Sequence, residues 1–446
     1  MTNVLKQISV NLGVTGYDDS SLLIGIADYY GVNTTISNNL MGDILTAVGG
    51  DPALSNNYIQ DIVIELGGPS TSNNWIEEWE AITSSPIVYF TTTWTTTAPN
   101  ETITLPYDAA GTYSGSIDWG DSNLVVNSFA NSSHTYAVAG TYTVTIIGDC
   151  IGWNFDAYGS PTYITSVIHW GQLQLGADTG AYFSGCPNLD LSSVSDVLDL
   201  TGITTLMRMF NFSGITTINN INLWNTSSIT TMSNMFANAT AFNQALSFDT
   251  SAVTIMSQMF RNASSFNQLL LFNTSNVISM AGMFESASSF NQSLISFNTS
   301  NVIIMGFMFR NASSFNQSLS TFDTSNVTNM FRMFNNAIAF NQSLSTFNTS
   351  QVVNMSSMFE NATAFNQNIG SWNVANVQNF KLFMAGKTPA TFSTANLDAI
   401  YNGWSASGVQ PYCNISFGTA KYTVAAVAGR AILTGVKFWI ITDGGL

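Results

Sequence analysis

The fold class this sequence predicts is mainly β: a long solenoid of stacked coils, preceded by a β-sandwich and a small helical segment. Three observations predict it. A Met-Phe pair recurs at Met209-Phe210, Met235-Phe236, Met259-Phe260, Met283-Phe284, Met308-Phe309, Met333-Phe334 and Met358-Phe359, at spacings of 24 to 26 residues. Other apolar columns keep the same step, and a fixed period of this length with several columns means that each unit is one coil. The third is composition. Hydrophobic residues make up 45% of the 446 and charged residues only 8%. A chain so apolar can bury a large core, and a surface of Ser, Thr, Asn and Gln suits coils in which each side chain recurs above its own copy.

The columns define the coil. Ile229, Val253, Val277, Val302, Val327, Val352 and Val377 form one, and Met232, Met256, Met280, Met305, Met330, Met355 and Phe380 a second. A Phe-Asn-Gln segment starts at Phe242, Phe266, Phe290, Phe315, Phe340 and Phe365. These phenylalanines are expected to stack in series and hold the coils in register. Asn238, Asn262, Asn311, Asn336 and Asn361 are expected to form an amide ladder, interrupted by Ser286, because side-chain amides can satisfy backbone groups at turns. Arg261, Glu285 and Arg310 share one column and should alternate in sign along the stack. The Leu-x-x-Phe-x-Thr-Ser piece reads as the strand of each coil, and Met-Phe-x-Asn-Ala as a short helical turn. Strand pairing at ~4.8 Å makes seven coils a rod of about 35 Å.

Before the repeats, residues 87–158 are rich in Thr, Val, Ile and Tyr with turn residues at short intervals, which reads as a β-sandwich. Residues 1–86 carry ten carboxylates against one basic residue, Lys6. They contain helical patches such as Leu40–Val48 and Tyr58–Leu66, with Gly49, Gly50 and Pro52 marking a stop and a restart. Residues 159–390 hold the solenoid, whose first coils are less regular, and residues 391–446 leave the repeat as a cap. An open end of stacked coils would expose apolar columns and strand edges, so a cap is required. In that cap Ala426–Leu433 reads as a short helix and the segment ending at Thr442 as a strand.

Few residues suggest chemistry. Asp249 and Asp323 share a column but lie three coils apart, ~15 Å at the strand spacing, whereas paired glycosidase carboxylates need about 5–10 Å. His134 and His169 are the only histidines and fall in different segments, so no Ser-His-Asp set is expected. No catalytic, cofactor-binding or metal-ligating residue is assigned, and the reading is non-enzymatic. Three scattered cysteines contain no CxxC pair. Buried free thiols are the reading for them, with a Cys150–Cys186 disulfide as the alternative. Asp118 and Asp121 read as turn-capping carboxylates, with a calcium site as the alternative. The net charge of −16 lacks the clustered Lys and Arg that phosphate contact needs, so nucleic acid is not an expected partner. No segment reaches the roughly 18–20 apolar residues of a membrane span, and the N-terminus lacks the apolar core of a signal peptide.

Two resemblances follow from these motifs. The unit Val-x-x-Met-x-x-Met-Phe-x-Asn-Ala-x-x-Phe-Asn-Gln-x-Leu-x-x-Phe-x-Thr-Ser, over roughly 160–390, resembles the BspA-like leucine-rich-repeat surface proteins of bacteria and their viruses. It implies a leucine-rich-repeat-like solenoid and a role in adhesion or recognition, and it supplies no catalytic residues. Ile117-Asp118-Trp119-Gly120-Asp121-Ser122, followed by His134-Thr135-Tyr136, resembles a PKD-type immunoglobulin-like domain. The segment Asp43–Asp51 is similar to N-terminal segments of tailed-phage structural proteins. Together these point to a bacteriophage virion surface protein, a head or tail fibre or spike. Residues 1–86 would dock to other virion proteins, and the rod would meet a host surface protein or glycan, with a homo-trimer as one assembly. A bacterial cell-surface adhesin is the alternative.

Overall fold

The computed structural model describes residues 89–155, 159–176 and 179–446. The helical segment expected within 1–86 lies outside them. What is described is mainly β, with few helices.

Residues following Tyr89 alternate buried and half-buried side chains, and that period of two makes β1, Phe90–Thr96, an inner strand of a sheet. It pairs antiparallel with β7, Gly140–Ile147, on one side and with β9, Ile164–His169, on the other. Beyond β7 come β4, Ser116–Asp118, and β5, Leu124–Val126, which completes the order β5-β4-β7-β1-β9. A smaller sheet joins β3, Tyr107–Tyr113, β8, Cys150–Trp153, and β10, Leu173–Gln174. A third pairs β2, Glu101–Thr104, with β6, Ser133–Tyr136. Trp94, Trp119, Trp153, Tyr107 and Tyr136 are fully enclosed among them. Strand β9 lies past the expected 158/159 boundary and works twice. It closes the five-stranded sheet, and Ser166 makes the first parallel bridge of the repeats, to Asp190.

From Thr205 onward the coils meet by single parallel bridges, Thr205 to Thr231, Ile255, Ser279, Ile304, Asn329, Asn354 and Asn379 in series. These bridges sit in the Val-x-x-Met piece, not in Leu-x-x-Phe-x-Thr-Ser, which turns instead. The reason lies in what the Thr-Ser piece does with its side chains. Thr226, Thr250, Thr274, Thr299, Thr324 and Thr349 are buried, and each hydroxyl donates to a backbone carbonyl of the following coil, as Thr299 does to Asp323 at 2.8 Å. The Asp or Asn before each Thr accepts from the Ser two residues on, which bends the chain into a turn.

Met-Phe-x-Asn-Ala is a run of tight turns and not a helical segment. In the coil at 232–239, Met232, Asn234, Phe236 and Asn238 donate their N–H to Ile255, Ser257, Met259 and Arg261 of the next coil. Met235, Ala237 and Ala239 donate to the residue three before them. Every amide of the stretch is therefore satisfied, half within the coil and half between coils, without a helix. Two residues per coil take left-handed backbone angles, at the columns of Asn234 and Asn238. Asparagine tolerates that conformation better than most residues, which explains its recurrence at 238, 262, 311, 336 and 361.

After the last coil, Ser393 caps helix α1, Thr394–Ser405, by accepting from the Asn396 amide. Leu397, Ile400, Tyr401 and Trp404 make its buried face, and the Trp404 indole reaches the Ile369 carbonyl. Strand β11, Asn414–Ser416, continues the bridges through Phe380 and Ile415, and β12, Ile440–Thr442, pairs parallel with β11. Helix α2, Val427–Ala431, passes into a wider turn over 432–436, so the expected short helix is present. One contiguous apolar core runs from Phe90 to Trp439.

Candidate functional site

The phenylalanine column stacks as expected. Ring centroids of Phe242, Phe266, Phe290, Phe315, Phe340 and Phe365 follow one another at 6.0, 6.0, 6.0, 5.9 and 6.1 Å with planes within 10°. A second series beside it joins Phe236, Phe260, Phe284, Phe309, Phe334 and Phe359 at 5.5–5.9 Å. Within each coil the two rings stack at 4.0–4.2 Å. All are fully buried. They hold the coils together and face nothing outside.

The asparagine column also forms rungs. Asn238 donates to Asn211 Oδ1 at 3.0 Å, Asn262 to Asn238 Oδ1 at 2.6 Å and Asn336 to Asn311 Oδ1 at 2.9 Å. Ser286 does not simply break the ladder, because its hydroxyl oxygen accepts from Asn311 Nδ2 at 3.1 Å. At the far end Gly386 faces Asn361, and a Cβ there would meet Asn361 Oδ1 at 2.4 Å. Sequence reasoning missed a second ladder in Phe-Asn-Gln itself. Asn243, Asn267, Asn291, Asn316 and Asn341 each accept, through Oδ1, the backbone N–H of the asparagine one coil on, at 2.9 Å. The glutamine of that next coil donates to the same oxygen at 2.9–3.1 Å. The strict Asn-Gln pairing after each Phe was the available signal.

Groups that could do chemistry are engaged structurally. Asp118 accepts from the Gly120 amide, and Asp121 accepts from Asn123 and pairs with His134 at 2.8 Å, so both stand at a turn. His134 is stacked on Trp119. His169 Nδ1 meets the Ser195 hydroxyl at 2.5 Å, but the neighbouring Asp196 uses both oxygens on the amides of Trp170 and Gly171. Hydrogen bonds from Ser251 and Ser325 hold the Asp249 and Asp323 carboxyls below the usual range, so both are ionised turn caps. Cys150, Cys186 and Cys413 are free and buried, and burial pushes the thiols of Cys150 and Cys186 far up. Among the described residues no three His, Cys, Asp or Glu side chains gather as metal ligands would. Among the same residues no helix is long and apolar enough to cross a membrane.

One face open to a ligand carries the parallel bridges. A groove of about 620 Å³ crosses four coils there, lined by Asn276, Ile278, Asn301, Ile303, Asn326, Thr328 and Gln351. No lining residue carries a charge. Ile278 is 45% and Ile303 44% exposed, and the other lining residues are neutral and polar. Geometry places them there: Val277 and Val302 point into the core, so the next residue of an extended piece points out. Exposed Ile at two successive copies of a position that holds Thr in the coils directly before and after them was readable from the columns.

A family model described as "Mycoplasma protein of unknown function, DUF285" matches residues 204–313 and 293–397. Together the matches span fewer than half of the 446 residues. No curated protein matches the chain. The chain is similar to that family over its repeats.

Proposed function

We propose that this chain is a surface-display protein whose repeats form a BspA-like, leucine-rich-repeat-like solenoid, presenting a stiff face for recognition of a host surface. One observation carries the reading. Each coil is tied to the next by stacked rings, two side-chain ladders and backbone bonds, which leaves an uncharged, grooved outer face supported on a fixed frame. Preorganisation of this kind lowers the ordering cost of binding. The segment around Trp119 and His134 serves as a PKD-like β-sandwich spacer, and the role is binding without catalysis. As a bacteriophage virion protein, the chain would dock through residues 1–86 and project its repeats outward. Mass spectrometry and immunogold labelling of purified particles test this location, and detection only in cell envelopes would sink it.

The match to a bacterial family favours a second reading, an adhesin on a bacterial cell surface. Surface labelling of intact cells distinguishes the two. Adhesion itself is tested by binding of the purified full chain to candidate host cells.

A further inference from the structure

We infer that the groove over Asn276, Asn301 and Asn326 binds a linear, neutral polysaccharide laid along the stack; this rests on the recognition role proposed above. The argument begins with hydrogen-bond valence. Asn276, Asn301 and Asn326 donate Nδ2 to the carbonyls of Ser251, Ser275 and Ser300, each at 2.7 Å. That contact locks the amide and turns Oδ1 away, and no hydrogen bond among the described residues uses those three oxygens. The asparagines of Phe-Asn-Gln differ, since each Oδ1 already takes two donors. Those of the Asn-Thr-Ser turn also differ, since Oδ1 holds the following serine. Gln268, Gln292, Gln317 and Gln342 also fix their amides through Nε2 and leave Oε1 without a donor, but of these two columns only that of Asn276, Asn301 and Asn326 lines the groove.

Those acceptors recur once per coil, at about the ~4.8 Å step of paired strands. A ligand running along them must present a hydroxyl or amide donor at that interval. An extended peptide does not, because its outward amides on one side repeat every second residue, ~6.7 Å apart. A chain of six-membered sugar rings repeats at close to the coil step and donates through hydroxyls. Between the acceptors, Ile278 and Ile303 offer apolar ground for the faces of the rings. The uncharged lining selects against polyanions, which would find no cation to replace their water.

The test is calorimetric titration of the full chain with cellohexaose and chitohexaose as neutral probes, against cellobiose and hexagalacturonate. The expected result is hexamer binding at least about tenfold tighter than disaccharide, and about tenfold tighter than the anionic hexamer. Ile303→Asp should remove about tenfold, whereas Thr321→Asp, on another side of the coil, should leave affinity unchanged. Absence of hexamer binding, or binding indifferent to Ile303→Asp, overturns the inference. Host-cell binding that persists without any oligosaccharide response and is lost on protease treatment of the cells also overturns it, in favour of a protein receptor. That outcome leaves the adhesion reading standing.

Discussion

Arg310 Nη1 donates to Glu285 Oε1 at 2.7 Å across one coil step, while Arg261 approaches the other oxygen of the same carboxylate at 3.7 Å from the coil before. Glu285 is only 7% exposed, so a single buried anion sits between two cations in a column expected to alternate in sign. Glu285→Ala should therefore cost about 1–3 kcal/mol, since it also leaves two guanidinium groups facing each other. Urea unfolding of Glu285→Ala, Arg310→Ala and the double variant measures the coupling. Additive effects would show that the contact contributes nothing.

The acceptor role of the Phe-Asn-Gln asparagines makes a second prediction. Asn291 Oδ1 takes both the Asn316 amide and the Gln317 side chain. Replacing it with Ala strands two donors at one step of the ladder, at about 1–3 kcal/mol. Asn291→Asp, which keeps the acceptor, should lose less. Equal losses for the two variants in the same denaturation assay would contradict the assignment.

Leu382 has φ +60° and is partly exposed, in a column that takes left-handed backbone at every coil. A side chain bears a cost of roughly 1–2 kcal/mol in that conformation, from which glycine is free. Allowing for glycine's greater chain entropy, Leu382→Gly should stabilise the protein by about 0.5–1 kcal/mol, and Leu382→Ala should not. The rank order of thermal midpoints checks this.

Lys387 is 1% exposed, and its ammonium donates to the carbonyls of Ala362, Thr363 and Phe365 at the end of the stack. Burial pulls it from 10.5 down to about 7. Between those values the unfolded chain holds the proton that the folded chain has released, so this group makes stability rise with pH across that window. Below about pH 7 both states are charged and the dependence vanishes. Midpoints of denaturation from pH 7 to 10 should climb in the parent relative to Lys387→Met. Parallel curves would show that the lysine does not titrate there.

Much was legible because a repeat states its packing many times over. The columns of Phe266, Phe290 and Phe315, and the order of charges at 261, 285 and 310, needed only the period to be read. The bridge-forming piece was misplaced for a local reason. Thr-Ser preceded by Phe has strand propensity, but its buried hydroxyls are tied to the carbonyls of the following coil and its Asp or Asn bends the chain, so tertiary contacts override propensity. The turn run at Met-Phe-x-Asn-Ala was misread for a similar reason: its i-3 bonds look helical, and only the neighbouring coil shows that every second amide bonds to the next coil.

The sequence by itself determined the period, the buried columns and the neutral surface, because these depend on which residues recur and how often. Only the tertiary structure decided which amide oxygens are occupied. A hydrogen bond joins residues two dozen apart in directions that no spacing specifies, so Asn267 and Asn276 are alike in the chain and opposite in what they leave for a ligand.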